Sequence, residues 1–141
     1  VKERLAALEA KDEIRELTAR YCHCVVDGDA EGILELFCPD GTFRTRRTSH
    51  TGDEELRAMY TDGVGGQTHK PFIQNHVIEL DGPDEATGRC SVEIRIFDDG
   101  EAVTAAGHYL DRYRRIDGRW LFAERFFNAY HFAPWSTGWT K

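Results

Sequence analysis

The spacing of hydrophobic residues changes period part-way along the chain. Over residues 1–26, Leu5, Leu8, Ile14, Leu17, Tyr21 and Val25 recur at intervals of three and four, the stripe of one amphipathic helix. Glu3, Lys11, Glu13, Glu16 and Arg20 lie off that stripe. Gly28 ends the helix, and Asp29 caps a second, 30–37, with Ile33, Leu34 and Phe37 inward, stopped by Pro39-Asp40-Gly41. Residues 42–48 are β-rich. A third helix over 54–60, capped by Thr51 or Asp53, precedes a glycine-rich connector at 63–66.

From residue 70 the period becomes two. The run 70–80 sets Pro71, Ile73, Asn75 and Val77 against Phe72, Gln74, His76 and Ile78, and 86–97 sets Cys90, Val92, Ile94 and Ile96 against Arg89, Glu93 and Arg95. Turns at Asp81-Gly82, Asp99-Gly100 and Asp117-Gly118 divide this half into a four-strand antiparallel meander. A run such as 70–80 reaches about 35 Å at roughly 3.3 Å per residue. Strands that long curl, and the concave face must be filled, which the helices of the first half can do. The expected class is α+β. The last strand is apolar on both faces, with Trp120, Phe122 and Phe126 opposite Leu121, Ala123 and Phe127, so a second subunit is expected to cover it in a homo-oligomer, dimer or trimer. The tail 133–141, with Trp135 and Trp139, either lids the cavity or packs on a neighbour.

Composition narrows the function. At 141 residues and 40% hydrophobic content the chain supports a single domain with an adequate core. A formal net charge of −7, with no basic knot beyond Arg44, Arg46 and Arg47, argues against nucleic acid, whose phosphates demand a positive footprint. No apolar run approaches the roughly 20 residues of a membrane span and no signal-peptide pattern is present, so no membrane partner and a cytoplasmic location are expected. Cys22, Cys24, Cys38 and Cys90 sit in periodic segments and read as reduced, mostly buried thiols. No triplet of His and carboxylate has metal-ligand spacing, and no phosphate-cradling loop, nucleophile elbow or dinucleotide fingerprint occurs. The expectation is chemistry with no metal and no cofactor.

Four segments carry a resemblance: Glu-Ile-Arg-Glu-Leu-Thr-Ala-Arg-Tyr at 13–21, Leu-Phe-Cys-Pro-Asp-Gly at 36–41, Asn-His-Val-Ile-Glu-Leu-Asp-Gly at 75–82 and Tyr-Leu-Asp-Arg-Tyr-Arg-Arg-Ile-Asp-Gly-Arg-Trp at 109–120. In this order the chain resembles the SnoaL-like branch of the nuclear transport factor 2-like superfamily. Members include scytalone dehydratase, bile-acid 7α-dehydratase, hexachlorocyclohexane dehydrochlorinase, polyketide cyclases and β subunits of ring-hydroxylating dioxygenases. The resemblance implies a cone-shaped α+β barrel, with three N-terminal helices packed in a strongly curved antiparallel sheet and an apolar pocket at the mouth. It also implies a cofactor-independent lyase or isomerase of the dehydratase kind, acting on a small hydrophobic polycyclic or aromatic molecule. A polyketide cyclase-type enzyme, or a non-catalytic assembly module like a dioxygenase β subunit, are the alternatives.

In dehydratase-type members a Tyr late in the first helix is followed five residues on by an Asp. That Asp orients a His at the start of the first meander strand, and an Arg on the last strand completes the site. Tyr21 and Arg125 match; the Asp position falls on Val26 beside Asp27, and the His position on Pro71, two residues after His69. Proton abstraction needs a base near neutrality, a group holding its tautomer, and donors for developing negative charge. His69 and Asp27 can supply the first two, and Tyr21 and Arg125 the third. If the strand does not extend back to it, His69 is a surface loop residue. Asn75 joins Arg125 as a substrate-binding candidate. With a two-residue turn at Asp117-Gly118, His108 lies across from Phe127 on the face of Arg125, making it a second candidate base or else a hydrogen-bonded core histidine. Asp111 lies across from Glu124, as an acid–base pair or a carboxylate cluster neutralised by Arg112, Arg114 or Arg125. His76 reads as packing or interface.

Overall fold

The helical stripe is buried only from its middle onward. A computed structural model, which describes residues 1–63 and 68–138, forms helix α1 over Lys2–Asp27, and Ile14, Leu17, Thr18, Tyr21 and Cys22 are its buried residues. Leu5 and Leu8 stay exposed. Gly28 ends α1 in the left-handed region, φ 67°, its N–H returning to the Cys24 and Val25 carbonyls. Helix α2 (Ala30–Leu34) is capped by Asp29, whose carboxylate accepts from the Gly32 N–H at 2.9 Å. It stops earlier than the spacing predicts. Phe37 already belongs to strand β1 (Phe37–Arg44), and Pro39-Asp40-Gly41 interrupts that strand's pairing instead of ending a helix. A short β2 (Ser49–Thr51), helix α3 (Gly52–Ala58) and a π-helical turn (Met59–Gly63) follow. Of the connector at 63–66 only Gly63 falls among the described residues.

The meander comprises β3 (Thr68–Asp81), β4 (Glu85–Asp98), β5 (Glu101–Ile116) and β6 (Arg119–Pro134). At Asp99-Gly100 and Asp117-Gly118 both residues take positive φ, as a two-residue primed hairpin requires. The sheet order is β2-β1-β6-β5-β4-β3. Pairing is antiparallel except that β1 joins β6 in parallel, so the sheet is mixed and open at its edges: a curved wall within the expected cone-shaped α+β architecture. Helix α1 crosses its concave face, against β3 and β6. Among the described residues no helix is long and apolar enough to cross a membrane.

Three β-bulges decide which way side chains point. On β3 the register shifts between Gln74 and Val77, with Asn75 at φ 57°. On β6 an extra residue enters at Ala123 and another at Tyr130. A bulge reverses the alternation beyond it. His76 therefore shares the concave side with Ile78, not the convex side with Phe72. Asp111 pairs with Arg125 instead of Glu124, and His108 with Asn128 instead of Phe127.

Candidate active site

Tyr21 falls on the buried stripe of α1, and the π-helical turn delivers Tyr60 to it; their hydroxyls meet at 2.7 Å. Phe37, Tyr109 and Phe122 pack edge-on around the Tyr21 ring. This group closes one side of a chamber of about 180 Å³ under the concave sheet. Among the described residues its polar lining groups are Tyr21, Tyr60, Tyr109 and His69; Phe43, Ile94, Ile96, Phe127 and Phe132 supply much of the rest. Burial pushes the phenols of Tyr21, Tyr60 and Tyr109 well above their ordinary range, so all three remain neutral donors at physiological pH. Burial lowers His69 below its usual value, while Asp98 acts on it in the opposite sense. A neutral imidazole thus faces an apolar space beside hydroxyl donors.

A buried charge lies behind the chamber wall. Arg125 is fully enclosed, with Nε 3.0 Å from Asp111 Oδ1 and Nη2 3.3 Å from Oδ2. Its guanidinium carbon stands 3.6 Å from the centre of the Tyr109 ring and 4.4 Å from that of Tyr21. Burial works against the arginine charge, but Asp111 together with Tyr109, Tyr21 and Cys90 outweighs it, and Arg125 is held above its ordinary range. Burial also drives the Asp111 carboxyl upward, against Arg125 and Tyr113. With two guanidinium N–H groups and the Tyr113 hydroxyl, at 2.8 Å, all donating to it, the carboxylate is the form that fits. Tyr113, having spent its proton on Asp111, accepts from His76 Nε2 at 3.0 Å. Ligand atoms of His76, Cys90 and Asp111 lie within 4.8 Å of one another. The trio makes a poor metal site, because Arg125 occupies both carboxylate oxygens and burial raises the Cys90 thiol to about 11.

A family model described as a SnoaL-like domain matches residues 6–126. The chain belongs to the SnoaL-like family. No curated protein sequence matches significantly. Among solved structures, a substituted form of Rv3472, a protein of unknown function from Mycobacterium tuberculosis, is 27% identical, with a TM-score of 0.80 over 87% of this chain and 73% of that one. LinA is 18% identical, with a TM-score of 0.86 over 93% and 92% of the two chains. The hexachlorocyclohexane dehydrochlorinase LinA-type3 from Novosphingobium barchaimii is also 18% identical, with a TM-score of 0.83 over 93% of each chain. At such identities the LinA likenesses speak for the fold.

In this SnoaL-like domain Tyr21 and His69 come together in the chamber, and the other candidates stand elsewhere. Asp27 is the exposed last residue of α1 and does not line the chamber. Arg125 reaches the chamber only through the rings stacked on it. The Ala123 bulge in β6 turns Arg125 to the concave side and leaves His108 with Leu110 on the convex face, where Nδ1 meets the Tyr130 hydroxyl at 2.7 Å and Nε2 meets Asn128 at 3.4 Å. Asn75 sits exposed at its own bulge, 3.3 Å from the Ser91 hydroxyl. A larger hollow of about 510 Å³ lies on that convex face, walled by Arg44, Val77, Arg89, Leu110 and Phe126 among others, with no imidazole. Sequence reasoning missed Tyr60, Tyr109 and Asp98. Tyr109 shares parity with Asp111 and Tyr113 and was within reach of alternation; Tyr60 depends on the π-helical turn and carries no periodic signal.

Proposed function

We propose that this SnoaL-like domain is a cofactor-independent lyase or isomerase that abstracts a proton beside an activating oxygen. His69 serves as the base, and the Tyr21–Tyr60 hydroxyl pair binds the oxygen that gains charge. The observation that carries this reading is the chamber itself, whose lining among the described residues is apolar except for one imidazole and three neutral phenols. A neutral imidazole accepts a proton, and a phenol that stays protonated donates to an enolate or alkoxide without competing for its charge. Arg125, stacked beneath Tyr109 and Tyr21, adds positive potential without spending a hydrogen bond on the substrate. The volume of about 180 Å³ favours a one-ring substrate over a polycyclic one, since a cavity of about 150 Å³ accommodates benzene.

The test is exchange of the protons α to the carbonyl of cyclohexenone and related one-ring ketones in deuterated water, followed by NMR. The expected result is catalysed exchange that His69→Ala abolishes and Tyr21→Phe reduces by about 100- to 1,000-fold, the scale of one oxyanion donor. Full exchange in His69→Ala overturns the assignment of the base.

A second reading is an assembly module like a dioxygenase β subunit. It is favoured by the exposed convex-face side chains Phe72, Val77 and Leu110, which suit coverage by other subunits. The two readings are compatible if the convex face joins copies of this chain while the chamber does chemistry.

A further inference from the structure

A carboxylate of the neighbouring strand, and not of any helix, acts on the chamber histidine. In the ladder between β3 and β4, His69 pairs with Ile96, Pro71 with Ile94 and Thr68 with Phe97. His69, Pro71, Ile94 and Ile96 all line the chamber. Asp98, two residues beyond Ile96 on the same strand, shares that face and is the diagonal cross-strand neighbour of His69. Its backbone is fixed by the adjoining hairpin: Asp98 pairs with Glu101, and Asp99 and Gly100 form the two-residue turn with φ 48° and 78°. Asp27, by contrast, ends a helix and has no part in the chamber lining.

We propose that Asp98 is the positioning residue for His69, a histidine–carboxylate pair built across one rung of the β3–β4 ladder at the mouth of the chamber. This rests on the reading of His69 as base. The carboxylate accepts an N–H from one ring nitrogen and so fixes the tautomer, leaving the other nitrogen's lone pair toward the substrate. When that nitrogen takes a substrate proton, the imidazolium is stabilised by the same carboxylate. No bond to Asp98 forms or breaks, and its proton count is unchanged. The electrostatics agree in sign, since Asp98 opposes the lowering that burial imposes on His69. The charged neighbours on adjacent positions point away: Lys70 and Arg95 pair with each other on the convex side, Arg95 stacking on Phe72 and Trp135. On the chamber side a second carboxylate, Glu101, stands directly opposite Asp98, and the described polar groups lining the chamber beside His69 are the neutral phenols.

The experiment is an NMR titration of the His69 ring with nitrogen tautomer shifts, in the unaltered protein, Asp98→Asn and Asp98→Glu. Exchange kinetics are measured alongside. Asp98→Asn is expected to lower the His69 midpoint, shift its tautomer balance and cut kcat by about 10- to 100-fold with little change in KM, part of the roughly 100-fold or more that a positioned base contributes. Asp98→Glu is expected to restore the midpoint in part. Because Asp98 is exposed, the midpoint shift should shrink at high salt. An unchanged His69 midpoint and tautomer in Asp98→Asn overturns the pairing. A shifted midpoint with undiminished kcat keeps the pairing but overturns the positioning role of Asp98, while the His69→Ala exchange test decides the base separately, so the two failures are distinguishable without knowing the natural substrate.

Discussion

His76 shows how a side chain can be made pH-sensitive without being catalytic. Burial first, then Arg125 and Arg15, lower it from 6.5 to about 4, so it stays neutral and donates to Tyr113. A histidine depressed in the folded state contributes stability that is complete above its unfolded value and is lost as pH falls through the folded one. The window here runs from about 6.5 down to about 4. Because the ring is only partly buried, the contribution is about 1–2 kcal/mol rather than the full linkage value. Urea unfolding at pH 7 and at pH 4.5 should show a smaller acid loss in His76→Gln than in the unaltered protein. The neighbouring ion pair makes a harsher demand. Asp111→Ala strands Arg125, which is 0% exposed, without its counter-charge. Removing one partner of a buried pair costs about 3–5 kcal/mol, read as a lowered urea midpoint.

At the scale of the element, one residue of β3 decides what the chamber's back wall contains. Asn75 holds φ 57°, a conformation that asparagine tolerates and β-branched residues resist. Asn75→Val is expected to lose about 1–2 kcal/mol of stability, whereas Asn75→Gly should stay within about 0.5 kcal/mol of the unaltered protein; paired denaturation curves check both. The same residue marks the limit of what alternation can tell. The hairpins were legible because Asp-Gly twice occupies the one turn type that wants positive φ at both positions. The burial of Tyr21 was legible because α1 is one uninterrupted stripe. Which face His76 occupies, and which β6 residues oppose Asp111 and His108, was not, since a one-residue insertion in β3 or β6 reverses the count along that strand. Nothing in Ala123 or Tyr130 announces such an insertion. Asp98 escaped for a related reason: its link to His69 is a diagonal in a ladder whose register only pairing fixes, whereas the family's Asp position pointed to the end of α1.

For the whole molecule, the convex face is the surface left to explain. Val77, Arg89, Leu110, Phe126 and Arg44 form one continuous row across β3, β4, β5, β6 and β1, each paired with the next. Val77 is 64% and Leu110 41% exposed. Beside them Glu124 bridges Arg44 at 2.9 Å and Arg112 at 3.6 Å, so the row carries apolar side chains and both signs of charge. A surface of that mixture can meet a rotated copy of itself, arginine against glutamate and aliphatic against aliphatic. Light scattering is expected to give a mass above the 16.1 kDa of one chain. Leu110→Glu combined with Val77→Glu should reduce it to that of a monomer, because each replaces an exposed apolar side chain by a carboxylate that the seam would have to desolvate. Both residues stand on the far side of the sheet from Tyr21 and His69, so exchange in the chamber should continue in the monomer. A monomeric mass for the unaltered protein at micromolar concentration would remove self-association and leave the convex face to a different subunit.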